Sequence, residues 1–299
     1  MPTREPFRSG TIAVLGRPNV GKSTLVNAMV GFKVSIVAPK PQTTRHRILG
    51  IATRDDAQYV FVDTPGLHAA GGRAINRYLN RAARGAVLDA DVALLVLEAG
   101  RWIGEDDEAL AVAAASRLPV VAALNKIDRV KDRATLLPEL EQLAQRHGFA
   151  ALVPISAAKR KGLDALEREL RALLPERPGA FDPDAITDRS ERFLATELIR
   201  EQVVLQLRDE LPHSTTVEIE SFEEAGGEFR LEASIFVERE GQKAIVVGAG
   251  GAQIKKLGIA ARHELEKLLG GKVHLMLHAR VREKWSDDEA ALRKFGYSE

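Results

Sequence analysis

The sequence predicts an α/β domain with a mostly parallel sheet and helices on both faces, followed by a smaller α+β domain. Apolar runs alternate with amphipathic helical stretches over the first 175 residues, a Pro-rich stretch follows at 175–184, and a different order of elements fills the rest. Strands that alternate with helices form sheets of this kind. We therefore expect a first domain at 1–178, a linker at 179–190 and a second domain at 191–299.

The strands of the first domain are expected where short apolar runs occur, because such runs are typical of buried parallel strands. They lie at 11–15, 47–52, 58–62, 92–97, 119–124 and 151–155. Helices are expected at 105–117, 134–147 and 163–174, where the apolar residues recur at helical spacing.

Composition excludes several kinds of site. The chain of 299 residues has a net charge of +1 and no cysteine. This rules out disulfides, a thiol nucleophile and cysteine-ligated metals, and it limits any nucleic-acid surface to a local patch. The N-terminus lacks the apolar core of a signal peptide, and no apolar run is long enough to span a bilayer. We expect a cytoplasmic protein.

A phosphate-binding loop follows the first apolar run. Residues 16–24 read GRPNVGKST, which matches the G-x-x-x-x-G-K-[ST] pattern. Backbone N–H groups of such a loop, with the start of the next helix, wrap di- and triphosphates. Lys22 is expected to reach the β- and γ-phosphates, and the Ser23 hydroxyl to ligate Mg²⁺. The predicted phosphate-binding residues are Gly16, Asn19, Val20, Gly21, Lys22, Ser23 and Thr24.

A second motif, Asp63-Thr-Pro-Gly66, comes directly after the predicted strand at 58–62. Ligands bind at the carboxyl ends of the strands in such sheets, so this motif should lie beside the phosphate loop. Asp63 can hold Mg²⁺ through a water molecule, and the Gly66 amide can meet the γ-phosphate.

The residues that follow the next two predicted strands indicate that the bound base is guanine. Asp128, in Asn125-Lys126-Ile-Asp128, can accept two hydrogen bonds from the ring N–H and the amino group of guanine. Adenine has no such amino group and would leave the carboxylate unpaired, which can discriminate by about 10⁴ to 10⁵. Asn125 suits the other polar edge of the base. Ser156-Ala157 can present backbone N–H groups to guanine O6.

These motifs, in this order and spacing, resemble those of the translation-factor-related P-loop GTPases. The resemblance implies binding of GTP and GDP with Mg²⁺, and a threonine that senses the γ-phosphate. Segment 41–47 lies where the loop with that threonine belongs. Thr44 is the expected Mg²⁺ ligand, and Thr43 remains the alternative. Lys22, Thr44, Gly66 and Asn19 are the residues expected to act in hydrolysis.

The chain departs from the Ras-like pattern next to the catalytic site. Leu67 stands where Ras-like enzymes have the glutamine that orients the attacking water, so we expect slow intrinsic hydrolysis. GTPases that this chain resembles use an asparagine at the position of Asn19 to bind K⁺, which predicts hydrolysis stimulated by K⁺. His68 is disfavoured as a general base, because phosphoryl transfer depends mostly on positioning and charge. Gly71-Gly72 should form a hinge.

The second domain is predicted to start with a long helix from about 186, with Thr187 or Ser190 as the N-cap. Two strands, at 215–221 and 228–238, should form a hairpin through 223–227. A G-x-x-G stretch, another helix, a strand at 272–281 and a short helix after Trp285 complete the order.

This order of elements resembles a type II KH domain, with Gly248-Ala-Gly-Gly251 as the loop that clamps the backbone of about four nucleotides. KH loops usually have a basic residue between the glycines. Here the pair is Ala249-Gly250, which should lower the salt dependence of RNA binding. The expected RNA-binding residues are Ile245, Val246, Gly248, Ala249, Gly250, Gly251, Ile254, Lys255 and Lys256.

The whole chain resembles the Era family of bacterial GTPases. Close matches are Q-T-T-R-H-R at 42–47, I-T-D-R-x-E-R-F at 186–193 and the stretch 282–297. The resemblance implies binding to the 3′ end of 16S ribosomal RNA, help in small (30S) subunit assembly and peripheral association with the inner membrane. An alternative is a membrane-associated switch in growth or division control whose KH-like domain binds protein. We expect a monomer and no DNA partner.

Overall fold

The computed structural model describes residues 6–40, 43–66, 73–207 and 211–297. The chain forms two compact units. Unit 1 comprises Met1–Ser35, Thr44–Gly71 and Leu79–Asp188, and unit 2 comprises Ile36–Thr43, Gly72–Tyr78 and Arg189–Glu299. Two short segments that the sequence assigns to the first domain therefore group with the second.

Unit 1 is built on a six-stranded sheet with the strand order β2-β3-β1-β4-β5-β6. β2 is antiparallel to β3, and the other neighbours are parallel, which confirms the predicted mostly parallel α/β sheet. The strands are β1 (Arg8–Leu15), β2 (Ile48–Thr53), β3 (Ala57–Asp63), β4 (Val92–Glu98), β5 (Val120–Asn125) and β6 (Ala151–Pro154). The helices are α1 (Lys22–Val30), α2 (Ala74–Gly85), α3 (Gly104–Ala115), α4 (Leu136–Arg146) and α5 (Leu163–Leu173).

Helices cover both faces of this sheet because successive strand residues point to opposite sides. On one face, Leu15, Leu95 and Leu124 pack in a core with Ala113 of α3 and Leu143 of α4. On the other side, α1 contacts β2 and β3, and α5 contacts β5 and β6. Four of the predicted nucleotide-binding motifs lie at the carboxyl ends of strands β1, β3, β5 and β6, whereas the loop with Thr44 precedes β2.

Unit 2 has a three-stranded sheet with the order β7-β8-β9. β7 and β8 are antiparallel, whereas β8 and β9 are parallel. The elements are α6 (Glu191–Gln206), β7 (Thr216–Ala225), β8 (Glu228–Val237), α7 (Glu240–Val247), α8 (Ala252–Leu269), β9 (Lys272–Val281) and α9 (Glu289–Lys294). Within the described part of the chain, no single helix is long and apolar enough to cross a bilayer, although the bent pair Glu240–Val247 and Ala249–Leu269 passes the same test jointly.

Two details of unit 2 refine the prediction. Ser190, and not Thr187, caps α6, because its hydroxyl accepts a hydrogen bond from Phe193 N–H at 3.3 Å. The hairpin turn is shorter than expected. The cross-strand pairs Glu223–Arg230 and Glu224–Phe229 continue the ladder, so only 226–227 lie between the strands.

The segment Gly72–Tyr78 belongs to unit 2 through contacts with the C-terminal residues. Ala74 N–H donates to Asp287 Oδ1 at 3.0 Å, and the rings of Tyr78 and Tyr297 meet edge to face at 5.8 Å. Trp285 anchors this end of the chain: it is fully buried, and its indole N–H donates to the Ser214 carbonyl at 3.1 Å. The start of α2 is thus held by the C-terminal part of the chain.

Candidate functional site

The phosphate loop holds Lys22 with its own backbone. Lys22 Nζ donates to the carbonyls of Gly16 at 2.8 Å and Arg17 at 2.9 Å, and the side chain is buried. Burial lowers the pKa of Lys22 to about 8, with the nearby Asp63 opposing this shift and Arg17 adding to it. A desolvated ammonium at this position is suited to anionic phosphate oxygens. Val20 is buried, while Thr24 is half-buried in α1.

The structure brings Thr44, and not Thr43, to the predicted Mg²⁺ ligand Ser23. The Thr44 and Ser23 hydroxyl oxygens are 2.8 Å apart. The Thr43 hydroxyl instead donates to the Lys40 carbonyl at 2.6 Å. Two hydroxyl oxygens at this distance can serve as neighbouring ligands of a single hard cation.

Asp63 supplies the negative charge that such a cation needs. Its side chain is fully buried at the end of β3, and among the described residues no hydrogen bond of normal geometry reaches either carboxylate oxygen. Burial raises its pKa, although the Ser23 hydroxyl and the Lys22 charge partly offset the rise. A buried carboxylate near the Ser23 hydroxyl, which itself lies 2.8 Å from the Thr44 hydroxyl, is a donor set that fits Mg²⁺.

Gly66 lies against the phosphate loop. A Cβ built on Gly66 would lie 2.8 Å from Pro18 Cγ, so this position admits only glycine without displacing the loop. The neighbouring Leu67, His68 and Gly71-Gly72, together with Pro41 and Gln42, lie outside the described residues, and their predicted roles stay predictions.

Asp128 is set up as the carboxylate that would meet guanine. Its Oδ1 is 2.5 Å from the Ser156 hydroxyl, which donates to it. This hydrogen bond is the main cause that lowers the pKa of Asp128, because it stabilises the charged carboxylate. Ser156 therefore positions the acidic side chain.

Asn125 bridges two loops of the site, and its predicted contact with the base stays a prediction. Asn125 is 2% exposed and makes two hydrogen bonds with the protein: its Nδ2 donates to the Val20 carbonyl at 2.9 Å, and its Oδ1 accepts from Ala157 N–H at 3.0 Å. It thereby joins the phosphate loop to the loop that contains Ser156 and Ala157. The Ala157 N–H is therefore used by Asn125 and is not directed at guanine O6.

Sequence analysis missed an ion-pair network around Glu98, at the end of β4. Glu98 accepts from Arg17 at 2.6 Å and from Lys126 at 2.9 Å. Burial opposes the charge of Glu98, but these two hydrogen bonds outweigh it and lower its pKa. Arg17 also donates to the buried Asp106 at 3.1 Å, and Lys126 donates to the Asn19 carbonyl at 2.7 Å. The feature of the sequence that could have pointed to Glu98 is its position directly after the predicted strand at 92–97.

The candidate RNA site lies where α7 meets α8 in unit 2. Ile245 is 58% exposed, Ile254 is half-buried, and Lys255 and Lys256 are exposed. Val246 is fully buried in the core of unit 2, whereas its neighbour Ile245 is exposed. Its predicted role in lining a groove is therefore wrong.

The loop between these helices has its own geometry. Gly251 N–H donates to the Gly248 carbonyl at 3.1 Å, which closes a turn over Ala249 and Gly250. A Cβ on Gly248 would lie 2.7 Å from Gln253 Cβ, whereas a Cβ on Gly250 would meet nothing within 4 Å. Gly250 has φ 58°, a left-handed conformation that asparagine and aspartate also tolerate.

Comparisons with known proteins match the regions that contain both candidate sites. Residues 11–126 match the family described as 50S ribosome-binding GTPase, and residues 210–286 match the KH domain family. The first match contains the phosphate loop and Asp63-Thr-Pro-Gly66, and the second contains the G-x-x-G loop.

Full-length relatives extend this result. The chain is 58% identical over 295 residues to GTPase Era of Xanthomonas oryzae pv. oryzae, covering 99% of each chain. It is 58% identical over 297 residues to GTPase Era of Stenotrophomonas maltophilia, covering 99% of this chain and all of that one. A crystal structure of Aquifex aeolicus Era bound to GDP·AlF4⁻ is 35% identical, superposes with a TM-score of 0.95 and covers 98% of this chain and 100% of that one. A structure of Era with MgGDPNP and nucleotides 1506–1542 of 16S ribosomal RNA gives the same identity, TM-score and coverage. The chain is therefore a GTPase with a KH domain, and it belongs to the Era family.

Proposed function

We propose that this GTPase is a switch that binds the 3′ region of 16S ribosomal RNA and assists assembly of the small (30S) ribosomal subunit. The observation behind the proposal is the G-x-x-G loop of unit 2, flanked by exposed Ile245 and by Lys255 and Lys256, in the same chain as a GTP site. The related Era structure with a 16S ribosomal RNA fragment, at 35% identity, supports the choice of RNA.

In the GTP site, each residue has a proposed task. Lys22 would pair with the β- and γ-phosphates, and Ser23 and Thr44 would hold Mg²⁺, with Asp63 acting through water. When bound, Mg²⁺ neutralises charge on the phosphate oxygens. The Gly66 amide would meet the γ-phosphate. Hydrolysis would then remove the group that Thr44 and Gly66 sense.

Nucleotide state is proposed to reach unit 2 through the two short segments that group with it. Ile36–Thr43 ends immediately before Thr44, and Gly72–Tyr78 follows Gly66 by a few residues. γ-Phosphate contacts order such loops in switch GTPases, and hydrolysis releases them. A change at Thr44 or Gly66 is thus transmitted along the chain to segments held by unit 2.

The proposal is tested by measuring RNA affinity in the GDP state and with GDPNP. The probe is a short single-stranded RNA matching the 3′ end of 16S ribosomal RNA, and a scrambled RNA is the control. We expect sequence-dependent binding that differs about 5- to 150-fold between the two nucleotide states, the usual range of coupling between two sites. Equal, weak binding to both RNAs would contradict the proposal.

We also propose that K⁺ stimulates hydrolysis through Asn19. Asn19 is exposed with φ 63°, and among the described residues its side-chain amide makes no hydrogen bond. A cation there would act where an arginine finger acts, so we expect hydrolysis in KCl to exceed that in NaCl by at least about tenfold. Asn19→Ala should remove the difference between the two salts. Identical rates in the two salts would refute a K⁺ site.

A further inference from the structure

Arg200 is a charged side chain that lies almost wholly inside unit 2, with 1% of it exposed. It donates two hydrogen bonds to Glu197, from Nε at 2.7 Å and from Nη2 at 2.6 Å. Nη2 also donates to the backbone carbonyl of Thr43 at 2.5 Å, 157 residues away in the sequence. An Arg200–Glu197 ion pair that served only to stabilise α6 would not need a hydrogen bond to the Thr43 carbonyl. The arginine therefore ties the segment Ile36–Thr43 to α6.

Two further hydrogen bonds hold the same segment. Val37 N–H donates to Glu201 Oε1 at 2.9 Å, and Lys40 Nζ donates to the Leu207 carbonyl at the end of α6. The Thr43 hydroxyl closes a turn onto the Lys40 carbonyl. The segment is thus fixed to α6 at three points, of which the Arg200 contact is the last before the chain returns to unit 1.

The next residue along the chain is Thr44. Thr43 is the last residue of the segment in unit 2, and Thr44 is the first residue that returns to unit 1. One peptide bond therefore joins the carbonyl held by Arg200 to the residue whose hydroxyl lies 2.8 Å from Ser23 Oγ. A constraint on this peptide limits where the Thr44 hydroxyl can be placed, because the peptide is planar and only φ and χ1 of Thr44 lie between the two groups.

We infer that Arg200 is a positioning residue of the GTP site: by holding the Thr43 carbonyl, it sets Thr44 for the γ-phosphate and Mg²⁺. The inference rests on the proposed role of Thr44. GDP lacks the γ-phosphate, so the affinity for GDP is independent of Arg200, whereas the affinity for GTP depends on it. Coupling of binding free energies is reciprocal, so GTP bound with Thr44 in place stabilises the contact with α6.

The test measures the affinities of the full chain for GDP and GDPNP with Mg²⁺, using fluorescent analogues of both nucleotides. Removing Arg200 alone would take from the buried Glu197 the two hydrogen bonds that it accepts from Arg200, so the main variant is the double change Glu197→Leu and Arg200→Met, which removes both charges. Arg200→Lys keeps a charge beside Glu197. Arg192→Gln is the matched control, because Arg192 is also on α6 but donates to the carbonyls of Ile219 and Glu220. Thr44→Ala reports the proposed role of Thr44.

The double variant should bind GDPNP about tenfold more weakly, the loss expected for one charged hydrogen bond, with GDP affinity unchanged. Arg200→Lys should lose less, and Arg192→Gln nothing. If Thr44→Ala lowers the preference for GDPNP over GDP but the double variant keeps it, Arg200 has no positioning role and the proposed function stands. If Thr44→Ala also keeps the preference, the role of Thr44 is wrong. If Arg192→Gln loses as much GDPNP affinity as the double variant, the loss reflects general destabilisation of unit 2, and the inference is overturned.

Discussion

Asp128→Asn should exchange guanine specificity for xanthine specificity. In the native chain Ser156 holds the Asp128 carboxylate at 2.5 Å, and we propose that this carboxylate accepts hydrogen bonds from the N–H and amino groups of guanine. An asparagine amide would put a donor against the guanine amino group, whereas xanthine has a carbonyl there. We expect GTP affinity to fall and xanthosine triphosphate affinity to rise, so that their ratio changes by about 10⁴ or more.

The measurement is a competition between GTP and xanthosine triphosphate for a fluorescent guanine nucleotide. Asp55→Asn is the matched control, because Asp55 is exposed in the turn between β2 and β3 and undergoes the same chemical change. That variant should keep the native preference for GTP. Retention of the same preference by Asp128→Asn would show that another group selects the base.

Gly250→Asp should abolish RNA capture while leaving the KH domain folded. The loop is proposed to let phosphates approach its backbone, and a carboxylate there would repel them. Like charges brought together at an interface cost several kcal/mol, so we expect RNA affinity to fall at least about 100-fold. Gly250 is the better site for this change than Gly248, since a side chain at Gly250 meets open space and one at Gly248 strikes Gln253.

Two controls separate charge from geometry in this experiment. Gly250→Asn places a neutral side chain of similar size at the same left-handed position and should lose much less affinity. Gly226→Asp adds the same charge at the β7–β8 turn, where φ is 61° and a side chain also meets open space. It should bind RNA normally, with circular dichroism confirming that all variants fold. If Gly250→Asp binds RNA as tightly as the native chain does, the G-x-x-G loop does not contact the RNA backbone as proposed.

Much of the fold and of the GTP site could be predicted from sequence because the signals are local. A phosphate loop, Asp63-Thr-Pro-Gly66 and the residues around Asp128 each follow an apolar run, and parallel strands bring their carboxyl ends to one edge of a sheet. Burial of Asp63 follows from its place at the end of β3. The choice between Thr43 and Thr44 required coordinates, since both are threonines in the same loop.

The contacts that join distant motifs could not be predicted. Asn125 and Glu98 sit at the ends of β5 and β4, where contact with a ligand and contact with another loop are equally compatible with the local pattern. Val246 was misplaced for a related reason: in a short helix flanked by glycine, apolar neighbours Ile245 and Val246 leave open which of them faces the core. Only the packing of α7 against the sheet decides this.

The role of Asn125 in tying Val20 to Ala157 has a consequence for how nucleotide leaves the protein. The buried Asn125 amide fixes the phosphate loop relative to the loop that is predicted to meet the base. Once one end of the nucleotide is bound, the other end is therefore held at a high effective concentration next to its own loop. The base and the phosphates then act as a chelate, and each alone is a far weaker ligand than the whole. Freeing one end removes the effective concentration that retains the other, so we expect displacement of either loop alone to speed release of the whole nucleotide.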